Sequence, residues 1–206
     1  MLDQSFSVKN FLKIFYSENR KGNYTEKLFF PELVVISKQL LIINQEVKEK
    51  KKLLKNNKIK NDEFQKFIKD KISQKKILQE EKLKKLEGSI TLIKNNIVNN
   101  NFLLKLNNNF EIAGKKVYTL KKSPELFFLS KQIQKNIRRT FKVKQSDRNE
   151  IINQIINIVD NDFPKYIIRT DIKSFYESIP HNELKEMLNK NQSLSIFSLK
   201  IIKRIL

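Results

Sequence analysis

Arg169-Thr-Asp-Ile-Lys-Ser-Phe-Tyr-Glu-Ser-Ile-Pro-His181 is the stretch on which the reading of this chain turns. The short apolar run Tyr166-Ile167-Ile168 leads into it, so Lys165–Thr170 reads as a strand that delivers one carboxylate, Asp171, to its end. Phe175 and Tyr176 follow as an aromatic shelf beside the acid. Ser178-Ile179-Pro180 then turns the chain into a helix expected from His181 to about Lys190. An aspartate at a strand end is more often a turn or cap residue than a metal ligand. The whole phrase, rather than the acid alone, carries the signal.

Working upstream, Ser146-Asp147-Arg148 starts a helix expected to bury Ile151, Ile152, Ile155, Ile156 and Val159, and Asn161-Asp162-Phe163-Pro164 ends it. Ser123-Pro124-Glu125 is a stronger helix start: a capping hydroxyl, a proline in the first turn and an acid near the positive helix end. That helix should reach about Phe141, with Phe127, Phe128, Leu129, Ile133 and Ile137 on its apolar side and Lys131, Lys135, Arg138 and Arg139 charged. A small β element is expected at about 101–121. Its strands are Phe102–Leu106 and Val117–Leu120, and Asn107-Asn108-Asn109 and Gly114-Lys115-Lys116 are its turns. Residues 31–87 read as two long helices in an antiparallel hairpin, broken near 56–62. Phe64, Phe67, Ile68, Ile72, Ile77, Leu78, Leu83 and Leu86 recur along the second helix, Gly88 closes it, and 90–98 follow as an extended piece or short helix. Ser7 caps a first helix with Phe11, Leu12, Ile14, Phe15 and Tyr16 on its apolar face, and Leu194–Leu206 is helical in pattern. The fold class is therefore α+β and mostly helical. Its segments are 1–30 (N-terminal helical segment), 31–88 (hairpin), 89–160 (mixed α/β region) and 161–206 (the strand bearing Asp171 and the helices after it).

The 206 residues carry a formal net charge of +20, with 39% hydrophobic residues. Such a charge favours a polyanionic partner, most often nucleic acid. A Lys-, Asn- and Ile-rich composition of the kind an AT-rich genome produces accounts for part of it. There is no cysteine, which excludes disulfides, thiolate nucleophiles and zinc–thiolate sites, and the single His181 excludes a multi-histidine metal site. No apolar run reaches membrane-span length, and Met1-Leu-Asp-Gln-Ser-Phe-Ser7 lacks the regions of a signal peptide. No membrane partner and a cytoplasmic placement are the expectation.

The phrase Asp171-Ile-Lys-Ser-Phe-Tyr-Glu-Ser-Ile179 resembles motif A of reverse transcriptases, which in bacterial members commonly reads Asp-Ile-x-x-Phe-Phe/Tyr-x-Ser-Ile. Val143-Lys-Gln-Ser-Asp-Arg-Asn-Glu-Ile-Ile152 and the helix after it look like the approach to the palm in bacterial defence-associated reverse transcriptases. The opening Gln4-Ser-Phe-Ser, Phe11-Leu-Lys-Ile-Phe and Glu18-Asn-Arg-Lys-Gly22 are similar to the N-terminus of one such group, the first reverse transcriptases of type-3 defence systems. The resemblance covers most of the chain: helical extension, a fingers-like region over 89–160, then the first palm strand and helix.

What the resemblance implies is an RNA-directed DNA polymerase acting in antiphage defence on an RNA template, a DNA product and dNTPs. A second reverse transcriptase or a non-coding RNA of the same system is a further implied partner. Nucleotide addition of this kind uses two Mg²⁺ ions about 4 Å apart. Asp171 and the backbone carbonyl of Ile172 are the implied ligands, both hard oxygen donors. Tyr176, five residues after the acid, is the implied sugar gate, with an ordinary core aromatic as the alternative. Arg138, Arg139, Lys142, Lys144 and Arg148 are the candidates for holding the triphosphate, against a solvated helix face for some of them.

Residues 172–206 depart from the family. Their only acids are Glu177, Glu183 and Glu186, so the paired carboxylates of the family's second acidic hairpin do not occur there. One aspartate does not hold two ions, and the expectation is an N-terminal part of a reverse transcriptase, inactive by itself. Two other readings compete: a non-catalytic basic nucleic-acid-binding protein derived from a reverse transcriptase, and a helical scaffold that binds a partner protein through the 31–87 hairpin.

Overall fold

Ser7 starts the first helix as its sequence predicts. Its side chain accepts a hydrogen bond from Asn10 N–H at 3.3 Å, which satisfies one of the free donors of the first turn, and α1 runs over Val8–Arg20. Phe11, Ile14, Phe15 and Glu18 recur at helical spacing, and all four are buried. The chain leaves α1 through Gly22 at φ +82°, a left-handed conformation that glycine adopts without a Cβ clash. The structure, a computed structural model, describes all residues except 1, 57–58, 100–101, 103, 105, 113–114, 144–146, 161–162, 167, 169, 171–177 and 206. They fall into two compact units, Ser5–Gln132 and, separately, Met1–Gln4 with Ile133–Leu206.

In the Ser5–Gln132 unit a short α2 (Thr25–Phe29) precedes α3 (Pro31–Lys55), which opens on a proline whose missing N–H is no loss in a first turn. α4 (Asn61–Val98) returns along α3 as the second arm of the expected hairpin. Leu33, Ile36 and Ile43 of α3 and Leu86, Ile90, Ile93 and Ile97 of α4 are buried in the part of the hairpin away from its turn. Towards the tip, polar contacts bridge the two helices: Lys71–Glu46 at 2.7 Å, Lys50–Glu63 at 3.0 Å, and Lys75 Nζ to Asn44 Oδ1 at 3.0 Å. Lys50 and Lys71 also stand 5.5 and 5.6 Å from the Phe67 ring centroid.

One expectation for this hairpin needs correction. α4 does not stop at Gly88 but continues ten residues to Val98, because Ile90, Ile93 and Ile97 prolong its buried stripe. The apolar gain of three isoleucines exceeds the roughly 1 kcal/mol a mid-helix glycine costs. The apolar pattern from Phe64 to Leu86 is not all core: Ile72, Ile77 and Leu83 are exposed. The helices packed against α4, α3 and α1, leave part of its circumference uncovered.

A two-stranded antiparallel hairpin follows, β1 (Leu106–Ile112) and β2 (Lys115–Leu120), with Leu106 opposite Leu120 and Ile112 opposite Lys115. Here too the expectation shifts. The first strand lies at 106–112 rather than 102–106, and Asn107-Asn108-Asn109 are strand, not turn. Pairing with β2 outweighs the low strand propensity of asparagine, and the register break between Asn107 and Phe110 absorbs the irregularity. Lys115 and Lys116 belong to β2, while Gly114 lies outside the described residues.

α5 (Pro124–Thr140) begins as predicted, with Ser123 Oγ accepting from Leu126 N–H at 3.3 Å. Phe128 joins Phe11 and Phe30 in the aromatic core, at centroid distances of 5.4 and 6.3 Å, and Phe15 meets Phe30 edge-on at 5.5 Å.

The last turns of α5 belong to the second unit, with α6 (Arg148–Val159), α7 (His181–Asn191) and α8 (Ile196–Ile205). Gln4 is its clasp. Its side-chain amide donates to Ser193 O at 2.7 Å and Thr140 Oγ1 at 3.1 Å, its Oε1 accepts from Ser195 N–H at 2.6 Å, and its backbone carbonyl accepts from Asn136 Nδ2 at 3.0 Å. Asn136 also donates to the buried Ser198 Oγ at 3.0 Å. Asp147 caps α6, accepting from Asn149 N–H at 2.8 Å. The α6 residues expected in the core, Ile151, Ile152, Ile155, Ile156 and Val159, are instead 41–53% exposed. The pattern that marks a helix face as apolar does not supply the surface that would cover it. Lys165, Tyr166, Ile168 and Thr170, the described residues of the predicted strand, are not in a strand, and Tyr166 and Ile168 are exposed. The described residues contain one sheet, the β1–β2 pair. The architecture is mostly helical with a small antiparallel sheet, α+β in its general class.

Candidate functional site

The residues the sequence puts first, Asp171, Ile172, Phe175 and Tyr176, lie outside the described residues, as does Lys144. What is described is their C-terminal flank. Pro180 has extended backbone, and α7 begins directly at His181, which is a helix-start residue as its position after proline predicts.

Four of the five phosphate candidates are described, all within the Ile133–Leu206 unit. Arg138 and Arg139 occupy the last turn of α5 and are exposed. Lys142 follows the helix at φ +51°, a left-handed conformation uncommon for a residue with a Cβ, and it too is exposed. Arg148 is the first residue of α6, beside the Asp147 cap. Among the described residues none of the four is in an ion pair, so their charges are available to an external anion. Their side chains are equally what a solvated helix surface presents.

The sequence reading passed over Glu18. It is buried at the end of α1, and each of its carboxylate oxygens is taken. Oε1 accepts from Lys21 Nζ at 2.8 Å, while Oε2 accepts from Asn23 Nδ2 at 2.6 Å and pairs with Lys131 Nζ at 2.9 Å. Burial pushes the carboxyl upward, but the hydrogen bonds from Lys21, Lys131 and Asn23 more than offset it and hold its pKa down at about 2. A carboxylate so saturated is a structural clasp, not a vacant ligand. Lys21 and Asn23 are close enough in sequence to suggest the pairing, whereas Lys131 reaches it only through the fold. Also unread in the sequence were Lys121 and Lys122, which line a cavity together with Phe29 and Phe127.

Among the described residues no group of three or more His, Cys, Asp or Glu side chains is placed to hold a metal ion, and no helix is long and apolar enough to cross a membrane. Comparison of the chain with models of protein families, with curated proteins and with solved structures returned no match.

Proposed function

We propose that this chain forms part of an RNA-directed DNA polymerase of antiphage defence, with Asp171 as its first catalytic carboxylate. The observation that carries the reading is the phrase Asp171-Ile172-x-x-Phe175-Tyr176-x-Ser178-Ile179, in which an acid, two aromatics and a Ser-Ile turn into a helix stand at the motif-A spacing. The start of α7 at His181 supports it, since the motif runs into a helix at that point. So do the exposed charges of Arg138, Arg139, Lys142 and Arg148 on the approach to the motif.

The donor set, the Asp171 carboxylate and the Ile172 backbone carbonyl, is all hard oxygen and suits Mg²⁺. Bound there, magnesium supplies positive charge for the triphosphate and lowers the barrier to attack by a primer hydroxyl. The chain's own residues position the reactants. Tyr176 packs beneath the sugar and leaves no room for a 2′-hydroxyl. The basic residues, Lys144 included, hold the triphosphate through charge-assisted bonds. The proposed partners are an RNA template, a DNA product and dNTPs, in the cytoplasm.

A second reading, a basic nucleic-acid-binding protein without catalysis, is favoured by the +20 charge, because phosphate neutralisation needs no active site. Primer extension separates the two. The protein from its complete reading frame is assayed with an RNA template, a DNA primer, Mg²⁺ and dNTPs, beside its Asp171→Asn variant. Extension that the substitution abolishes supports the polymerase. Salt-sensitive binding with no extension supports the second reading.

A further inference from the structure

Within the Ser5–Gln132 unit, the end of α2, the β2–α5 connection and the first turns of α5 line an open cavity of about 190 Å³. Its floor is apolar, made by Phe29, Leu120, Leu126 and Phe127. The Phe29 and Phe127 rings lie 5.2 Å apart, tilted by 46°, and both are half-buried. Ser123 and Ser130 complete the lining, each with its hydroxyl in one local hydrogen bond. Ser123 Oγ accepts from Leu126 N–H at 3.3 Å and Ser130 Oγ donates to Phe127 O at 3.0 Å. The remaining functional groups are the ammonium groups of Lys121 and Lys122, exposed and in no ion pair among the described residues. Among the described residues no carboxylate lines the cavity.

An aromatic floor beside two unneutralised cations selects a ligand that carries a flat ring next to negative charge. The volume is below the roughly 300–1,000 Å³ of pockets that enclose a drug-sized molecule, so it takes one ring and not a whole nucleotide. A single-stranded nucleic acid offers that alternation of ring and phosphate at every step. A duplex, with its bases paired and stacked inward, does not. The chain's net charge of +20 draws the same class of ligand from a distance.

We propose that this cavity receives one unpaired base of a single-stranded nucleic acid against the Phe29–Phe127 pair, with the flanking phosphates held by Lys121 and Lys122. Base–aromatic stacking of this kind tolerates any base, because every base has a π-face, and the backbone charge gives salt-dependent affinity. The site goes beyond the polymerase reading: it uses no metal and none of the residues around Asp171.

The test uses the full chain in EDTA and a 12-residue oligouridylate carrying one 5-iodouridine. Irradiation is expected to cross-link Phe29 or Phe127, located by mass spectrometry of the peptides. By fluorescence anisotropy, Lys121→Gln with Lys122→Gln lowers the slope of log affinity against log salt by about 1.4, at about 0.7 per single-strand phosphate. Phe29→Leu weakens binding by about fivefold to a hundredfold. The lysine pair is exposed, so its result stands even if a Phe variant misfolds. Cross-links found only elsewhere would overturn the proposal, as would an unchanged salt slope. So would equal binding of a fully paired duplex, or of a polyglutamate peptide showing the same dependence on both variants. Because no divalent ion is present, failure here leaves the Asp171 reading standing, and failure of primer extension leaves this site standing.

Discussion

Glu18 is buried, yet its hydrogen bonds keep it ionised. With its folded pKa held near 2 and its ordinary value at 4.5, the unfolded chain binds the extra proton between those two pH values. Its contribution to stability is therefore whole above about pH 4.5 and is lost as pH falls towards 2, and by linkage it is roughly 3 kcal/mol at neutral pH. Urea unfolding of Glu18→Gln against the parent chain should show that gap at pH 7 closing through this acid range; parallel curves would contradict it. Tyr176 carries the other residue-scale prediction. If it gates the sugar, Tyr176→Ala raises incorporation of ribonucleotides relative to deoxynucleotides in a primer-extension assay, and unchanged discrimination would assign it to the core instead. Both residues show what is legible at this scale. Tyr176 is nominated only by the continuous phrase it shares with Asp171, and it lies outside the described residues. The Glu18 clasp was not legible, because its third partner, Lys131, comes from a distant helix, and burial is a property of the fold rather than of neighbours in sequence.

Helix starts were the most legible features at the scale of elements. Ser7, Pro31, Ser123-Pro124 and Asp147 each satisfy or remove a first-turn N–H by local chemistry, and α1, α3, α5 and α6 begin there. Helix ends and strands were less so, because tertiary contacts override local preference. Gly88 is passed over by α4, and Asn107–Asn109 enter β1. A Cβ at Gly88 has no neighbour within 4 Å. Gly88→Ala should therefore stabilise α4 by about 0.5–1 kcal/mol and raise Tm by about 1–4 °C in a thermal melt; a lower Tm would mean the helix bends or is approached there. α6 gives the converse test. With Ile152 and Ile156 exposed, Ile152→Asn and Ile156→Asn should each change the unfolding free energy of the chain by less than about 0.5 kcal/mol. A loss of 2 kcal/mol or more in chemical denaturation would show that the face is covered.

For the molecule as a whole, a charge of +20 works against compactness and favours association with phosphate. Much of the fold answers that repulsion locally. Lys50, Lys71 and Lys85 of the α3–α4 hairpin pair with carboxylates across or along its helices, Lys82 pairs with Glu26 of α2, and Lys21 and Lys131 share the Glu18 carboxylate. The charges left outside those pairs include Lys121, Lys122, Arg138, Arg139, Lys142 and Arg148, and these are the ones the functional account uses. Asp171 as a magnesium-holding carboxylate is tested most directly by primer extension. With Mg²⁺, dNTPs, an RNA template and a DNA primer, the protein from its complete reading frame is predicted to extend the primer, and Asp171→Asn to abolish extension while template binding persists. Extension that survives the substitution undiminished would contradict it.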